Sequence, residues 1–184
     1  MKALGAALLV IAGVAACGEG RAIFNVDVLS FIQPSGKDTV TYNFPATPIP
    51  VSRDSFLPAQ KVSLPSGLGN SSVDSVSVSL AGSADNQTGT GSATFEIFFA
   101  KDSAAVYTGT PYITATGTIS GPQPSTVPLL APDTVSLADS VFNTNTLWVG
   151  VHAGFTQNPG VSGLSGKLRL TLLNLRIVLQ DKVF

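Results

Sequence analysis

This sequence of 184 residues has few charged side chains, a single cysteine and a single histidine. Charged residues make up 11% of the composition, against about 25% in a typical globular protein, which disfavours long helices laced with ion pairs. Lys and Arg number 10 and Asp and Glu number 11, so the chain has neither a basic field for a nucleic acid backbone nor an acidic tail. DNA and RNA are therefore excluded as expected partners.

One cysteine cannot form a disulfide within the chain, so the core alone must hold the fold. Hydrophobic residues make up 44% of the composition, which is enough for a real core despite the low charge. A domain usually takes about 100–200 residues. The length therefore predicts a single globular domain.

The N-terminus has the pattern of an export signal. Lys2 is followed by an apolar run from Ala3 to Ala16, which is shorter than the about 20 residues of a membrane-spanning helix and has the size of a signal-peptide core. The run ends in Val14-Ala15-Ala16, directly before Cys17. These four residues resemble the lipobox of bacterial lipoproteins. The resemblance implies that the Cys17 thiol is lipidated and that residues 1–16 are cleaved from the chain.

The resemblance also implies a location. A lipid on Cys17 would anchor the protein in the bacterial cell envelope, and Gly18, where inner-membrane lipoproteins of enterobacteria carry Asp, favours the outer membrane over the inner membrane. We expect a signal peptide at 1–16, the lipidated Cys and a short tether at 17–21, and a β-sandwich domain at 22–184. Five extended residues span at most roughly 17 Å, which predicts a domain close to its bilayer.

Beyond residue 20 the chain shows the two-residue period of β-strands. Apolar and polar residues alternate most clearly in four segments, at 75–80, 92–99, 112–119 and 147–155. Further strands are expected at 24–32, 39–44, 61–64 and 167–180. About eight strands separated by turns predict an all-β fold, an antiparallel β-sandwich of the immunoglobulin-like or jelly-roll-like type, with a small barrel as the alternative. The expected core consists of Val76, Val78, Leu80, Phe95, Ile97, Phe99, Ile113, Ile119, Val149, Val151 and Leu170.

Proline and glycine mark the expected breaks between strands. Prolines are concentrated in 45–58 and in 122–132, which excludes central strands from both segments. The glycine-rich segment 82–91 predicts a long hairpin loop. In the last strand the apolar phase changes between Leu172 and Leu173, which predicts a β-bulge or a strand that crosses from one sheet to the other.

Two residues are candidates for ligand binding. Trp148 and His152 share one face of their strand, opposite Val149 and Val151, and an aromatic ring beside an imidazole suits a ligand platform. The alternative is an ordinary surface pair. His152 would act as a catalytic base only with a nucleophile and an orienting acid, and the sequence identifies neither. No catalytic residue, cofactor or metal site is predicted.

Three functions remain open. The leading hypothesis is a lipid-anchored, non-enzymatic binding or structural module whose partners are the membrane, through its lipid, and an envelope protein or glycan. The second is a hydrolase or carbohydrate-active protein that uses His152 or carboxylates distant in sequence. The third is a carrier of an apolar ligand held in a barrel lumen. A filled core favours the first over the third.

Overall fold

The computed structural model describes residues 21–64, 72–120, 124–131, 135–137, 140–142, 144, 146–160 and 162–180. The predicted signal peptide and Cys17 lie outside the described residues. In the described part of the chain, no helix is long and apolar enough to cross a bilayer.

The described residues form eleven strands, one short helix and two short 3₁₀ turns. The strands are β1 (Arg21–Asp27), β2 (Thr39–Asn43), β3 (Val51–Phe56), β4 (Gln60–Ser63), β5 (Ser72–Thr88), β6 (Gly91–Ala100), β7 (Ile113–Ile119), β8 (Ser125–Leu130), β9 (Val135–Leu137), β10 (Thr146–Gln157) and β11 (Ser165–Gln180). The helix is α1 (Leu29–Ile32), and the 3₁₀ turns are Gln33–Ser35 and Ser140–Phe142.

The strands form one antiparallel sheet in the order β1-β11-β5-β8-β7-β6-β10-β3. β2 also pairs with β11, β4 with β10 and β9 with β5. The sheet is folded over on itself, because residues from β5 and β11 bury their side chains in the same core cluster as residues from β6 and β10. The rings of Tyr42 in β2 and Phe155 in β10 meet across this core with centroids 4.8 Å apart. The predicted all-β sandwich is confirmed, and all eleven expected core residues are buried.

The apolar phase change in β11 is a β-bulge. The pairing of β11 with β5 shifts register between Leu170 and Leu172. Because of this extra residue, Leu170 before the bulge and Leu173 after it both point into the core. Leu172 lies on the outer face and is 37% exposed. The bulge prediction is confirmed.

The prediction of a long hairpin loop at 82–91 is wrong. β5 continues to Thr88 and turns only at Gly89, whose φ of 74° favours glycine. The segment stays a strand because Ala84 and Asn86 point inward in alternation with outward polar residues. The buried amide of Asn86 donates to the carbonyls of Thr88 and Gly89, and its oxygen accepts a hydrogen bond from the Tyr42 hydroxyl at 2.9 Å. Burial, and then the charge of Asp85, raises the pKa of Tyr42 to about 12.

The exclusion of central strands from the two proline-rich segments is correct for 45–58 and wrong for 122–132. β3 lies in the first proline-rich segment and is an edge strand, as expected. β8 contains Pro128 and nevertheless lies between β5 and β7, which corrects the exclusion of a central strand there. β7 pairs with β8 only at Thr116 and Leu130, so the missing N–H of Pro128 removes no bond on that side.

The first predicted strand is shorter than expected, because the chain turns after Asp27. The Asp27 carboxylate accepts from the Ser30 backbone N–H at 3.3 Å, and the Ser30 hydroxyl donates to the Asp27 carbonyl at 2.7 Å. These bonds start α1, which buries Leu29 and Ile32. The segment 24–32 is therefore a strand followed by a helical turn.

Candidate functional site

The outer face of β10 is the surface that carries both predicted site residues. β10 lies between β6 on one side and β3 and β4 on the other. Trp148, Gly150, His152 and Gly154 alternate with the residues of β10 that point into the main core and therefore lie on the outer face. This face divides into two halves of different character.

The covered half surrounds Trp148 and Gly150 and is apolar. Phe98, Ala100 and Val106 form a second small buried cluster, on which Trp148 and Tyr107 pack. Residues 105–107, the covering segment, lie over this half. A Cβ atom on Gly150 would lie 2.2 Å from Val106 Cγ1, so only glycine lets this segment pack directly on the strand.

Tyr107 fastens the covering segment to two strands. Its hydroxyl donates to the Leu57 carbonyl and accepts from the Val151 N–H at 3.0 Å. Burial raises the pKa of Tyr107, and a hydrogen bond with the Val151 backbone opposes that shift in part. The Tyr107 hydroxyl thus bridges the backbones of Leu57, just after the end of β3, and Val151 of β10.

The open half centres on His152, which lies between two carboxylates. Its Nδ1 is 2.7 Å from Glu96 Oε2 of β6, and its Nε2 is 3.1 Å from Asp54 Oδ1 of β3. Phe56 stacks on the imidazole with a centroid separation of 4.3 Å and an interplanar angle of 20°. Ionised carboxylates only accept hydrogen bonds, so both contacts are hydrogen bonds when both ring nitrogens carry protons.

A groove of about 260 Å³ runs along the open half. It is lined by Ser52, Asp54, Ser92, Thr94, Glu96, His152, Gly154, Phe155 and Thr156. Gly154 keeps its floor low, and a Cβ there would find its nearest neighbour, Asp54 Oδ1, at 3.6 Å. Phe56, 57% exposed and stacked on His152, adds an apolar surface beside this polar lining.

The structure does not bring the two predicted site residues together. Tyr107 lies over Gly150, between Trp148 and His152. Trp148 therefore belongs to the covered half and His152 to the open half. Sequence reasoning missed Asp54 and Phe56. Glu96 alternates with the expected core residues Phe95 and Ile97, and this alternation is the one signal in the sequence for its contact with His152.

The arrangement around His152 is suited to binding and poorly suited to hydrolysis. Both ring nitrogens face carboxylates, and among the described residues no hydroxyl is hydrogen-bonded to this imidazole. The ring also fills the space between Asp54 and Glu96, where a glycosidase would place the scissile bond and water. In the described ranges, no group of three or more His, Cys, Asp or Glu side chains is arranged to hold a metal ion.

A larger depression, of about 680 Å³, lies on β2, β5, β8 and β11. Lys167, Arg169 and Asp85 line it together with hydroxyl and amide side chains. Tyr42 is its one aromatic lining residue, and the hydroxyl of that residue is engaged by buried Asn86. This depression is therefore lined by positively and negatively charged side chains and by no exposed aromatic ring.

No protein family and no curated protein matches the sequence. Among solved structures, the chain is similar to a chain of the infectious bursal disease virus Gx strain, with 11% identity and a TM-score of 0.33 over 90% of this chain and 38% of that chain. A chain of the Gt strain gives 12% identity and a TM-score of 0.37 over 89% and 38%. This chain spans less than two fifths of either viral chain. These low TM-scores do not establish a shared function.

Proposed function

We propose that this protein is a lipid-anchored cell-envelope β-sandwich that binds a hydroxyl-rich envelope glycan without transforming it. The observation that carries the proposal is the groove of the open half, where carboxylates and hydroxyls lie beside an exposed aromatic ring. The enclosed imidazole between the carboxylates supports binding over catalysis.

The groove offers the two kinds of contact that a saccharide needs. Asp54 and Glu96 are 62% and 29% exposed, and their oxygens accept hydrogen bonds from sugar hydroxyls. Ser92, Thr94 and Thr156 both donate and accept. The Phe56 ring offers an apolar face for the C–H face of a sugar ring. A neutral, polyhydroxylated ligand matches this surface better than an anion, which the two carboxylates would repel.

The lipobox resemblance supports the anchor. β1 begins at Arg21, four residues after Cys17, so an extended tether reaches at most roughly 14 Å. Two or three acyl chains hold a protein on a membrane almost permanently, at about 0.8 kcal/mol per buried methylene. The groove would thus be held close to the glycans of the same envelope.

The packed interior argues against a carrier of apolar ligands. Phe44, Phe95 and Phe142 are among the largest fully buried side chains, and they belong to one continuous cluster with residues of both layers. A carrier needs a lumen at this position.

Glycan binding is tested by calorimetric titration of full-length protein in detergent with two neutral oligosaccharides, an N-acetylglucosamine trimer and a glucose trimer. We expect saturable binding of one of these probes, and at least tenfold weaker binding by Glu96→Gln and Phe56→Ala. Thr116→Ala, an exposed change on β7 outside the groove, is the matched control and should bind like the wild type. Absence of binding, or equal binding by all variants, contradicts the proposal.

The anchor is tested separately by mass spectrometry of protein from its native host. We expect a diacylglyceryl group on Cys17 as the first residue of the mature chain. Cys17→Ser should be released from the membrane while keeping the β-rich circular dichroism of the wild type. A free Cys17 thiol in a chain that retains Met1 would show that the lipobox resemblance is misleading.

A further inference from the structure

The folded sheet does not close between β2 and β3. Among the described residues, β2 pairs only with β11, and β3 pairs only with β10. The two strands are consecutive and antiparallel, yet no backbone hydrogen bond joins them within 39–56, all of which the structure describes. We call the gap between these two edges the seam.

The hydrogen bonds that β2 and β3 make to their paired strands determine which of their backbone groups face the seam. Phe44 N–H donates to the Leu164 carbonyl, and Leu57 N–H donates to the Val151 carbonyl. Residues of an antiparallel strand alternate between bonding one neighbour and facing the other side. Thr41 and Asn43 of β2, and Ser52 and Asp54 of β3, therefore present their N–H and C=O groups to the seam. Both edges are templates for a further strand.

The Arg53 side chain lies in the seam, beside the backbone groups that a further strand would bond. Arg53 pairs with inward-facing Phe155 and reaches across the seam, where its Nη1 lies 3.4 Å from the Asn43 carbonyl and its guanidinium carbon 4.9 Å from the Phe44 ring centroid. Among the described residues, no carboxylate forms an ion pair with Arg53. A space of about 140 Å³ lined by residues of both edges remains beside it.

The connection between the two strands is held by other parts of the fold. The Gln157 side-chain amide donates to the Pro45 carbonyl at 3.0 Å, and Gly160 N–H donates to the Thr47 carbonyl at 3.0 Å. Pro48 and Pro50 further restrict this connection. These contacts tie the connection to the end of β10 and the segment after it, which opposes direct pairing of β2 with β3.

We propose that the seam binds one extended, acidic segment of a partner protein by β-strand addition. The segment runs antiparallel to one edge and parallel to the other, and its backbone bonds Thr41 and Asn43 on one side and Ser52 and Asp54 on the other. Its inward side chains are aliphatic, to meet Phe155, and one is a carboxylate that pairs with Arg53. This interaction does not depend on the lipid anchor. It adjoins the glycan groove, because Ser52 and Asp54 offer their backbone groups to the seam and their side chains to the groove.

The binding test uses full-length protein in detergent and two fluorescein-labelled, amidated octapeptides. In both, threonine alternates with valine, and one central valine is replaced by aspartate in the first peptide and by lysine in the second. We expect a saturable rise in anisotropy with the aspartate peptide and at least tenfold weaker binding of the lysine peptide. Arg53→Gln should abolish this preference. No saturable binding of the aspartate peptide overturns the proposal.

Edge variants test the place of binding. Thr41→Pro removes a seam-facing N–H without removing a bond to β11, and should weaken binding of the aspartate peptide at least tenfold. Thr41→Val keeps the N–H and should bind like the wild type. Ser52→Pro makes the same change on the opposite edge if Thr41→Pro does not fold. Unchanged binding by a folded proline variant overturns the proposal.

Amide exchange measured by NMR tests the seam itself. In the free protein, the amides of Thr41 and Ser52 should exchange faster than their strand neighbours Tyr42 and Arg53, which bond to β11 and β10. The aspartate peptide should slow the exchange of the first pair. Slow exchange of Thr41 and Ser52 without peptide would mean that β2 and β3 close on each other, and the proposal is then wrong.

Discussion

The covered half and the open half of β10 are built on the same face of the same strand, yet one is packed under other residues and the other forms an open groove. On the covered half, Trp148 lies beside Ala100 of β6 and Gly150 beside Phe98, and residues 105–107 pack over them. Near His152, the neighbour is Glu96, and the surface stays open as a groove. The strand period alone therefore does not decide which outward residues become buried.

The two outward glycines sharpen this contrast. Gly150 allows Val106 and Tyr107 to press against the backbone of β10, whereas Gly154 leaves the floor of the groove free. The two glycines lie four positions apart on the same face of β10. One permits close packing and the other leaves a groove open, and the difference comes from the residues that lie over each of them.

Removing the buried aromatic ring of the covered half should have the largest effect on stability. Phe98→Ala deletes a ring that is 6% exposed, and we expect it to lower the free energy of unfolding by about 3–5 kcal/mol. Thr94→Ala, four residues away on the same strand and on the open half, should change it by less than about 0.5 kcal/mol. Urea unfolding followed by circular dichroism measures both. Similar costs for the two variants would mean that the halves do not differ in packing.

The glycine pair gives a smaller effect in the same direction. The new methyl group of Gly150→Ala collides with Val106 and Tyr107, so we expect a cost of about 1–3 kcal/mol from overpacking. Gly154→Ala meets only ordinary contacts and should leave the unfolding midpoint unchanged while narrowing the groove. Thermal unfolding of the two variants is the measurement. A more stable Gly150→Ala protein would show that the covering segment is not packed on the strand.

Tyr107→Phe tests how the covering segment is held. The change removes the hydroxyl that joins Leu57 and Val151, and we expect a cost of about 1–2 kcal/mol at neutral pH. The pKa of Tyr107 is raised in the folded state, so its neutral form stabilises the fold below pH 10, and this contribution is lost as the pH rises through the folded-state pKa. The difference in unfolding free energy between wild type and variant should therefore shrink above pH 10. A constant difference would show that the phenol does not ionise with unfolding.

Much of the fold could be predicted from the sequence because the core faces repeat every two residues. The same period located the bulge of β11, since only an inserted residue brings Leu170 and Leu173 to one side. The composition of 82–91, with three glycines, Asp85 and Asn86, favoured a loop, but β11 and β8 supply strand partners on both sides. Composition reports the local preference of a segment, and the neighbouring strands override it.

The site was less predictable for a different reason. The outward phase of His152 could be read from β10, but its contacts come from Asp54 and Glu96, which are 98 and 56 residues away in sequence. Their meeting depends on the register of β3 and β6 against β10, which no local pattern encodes. The strand period places Trp148 in the same site, because nothing in the sequence indicates that residues 105–107 pack over it.

A small change in the free energy of unfolding is expected for a charge removed from the open half, at Glu96. Glu96→Gln keeps the size of the side chain and removes its charge beside His152. The carboxylate is 29% exposed, so the change should cost no more than about 1 kcal/mol. Raising the salt concentration to about 1 M, where the Debye length is about 3 Å, should reduce the difference further. Phe98→Ala is the control, because its packing cost should not decrease with salt. If Glu96→Gln instead destabilises the protein more than Gly150→Ala, then the Asp54, Glu96 and His152 cluster is a structural clamp between strands, and the open half is not a surface kept free for a ligand.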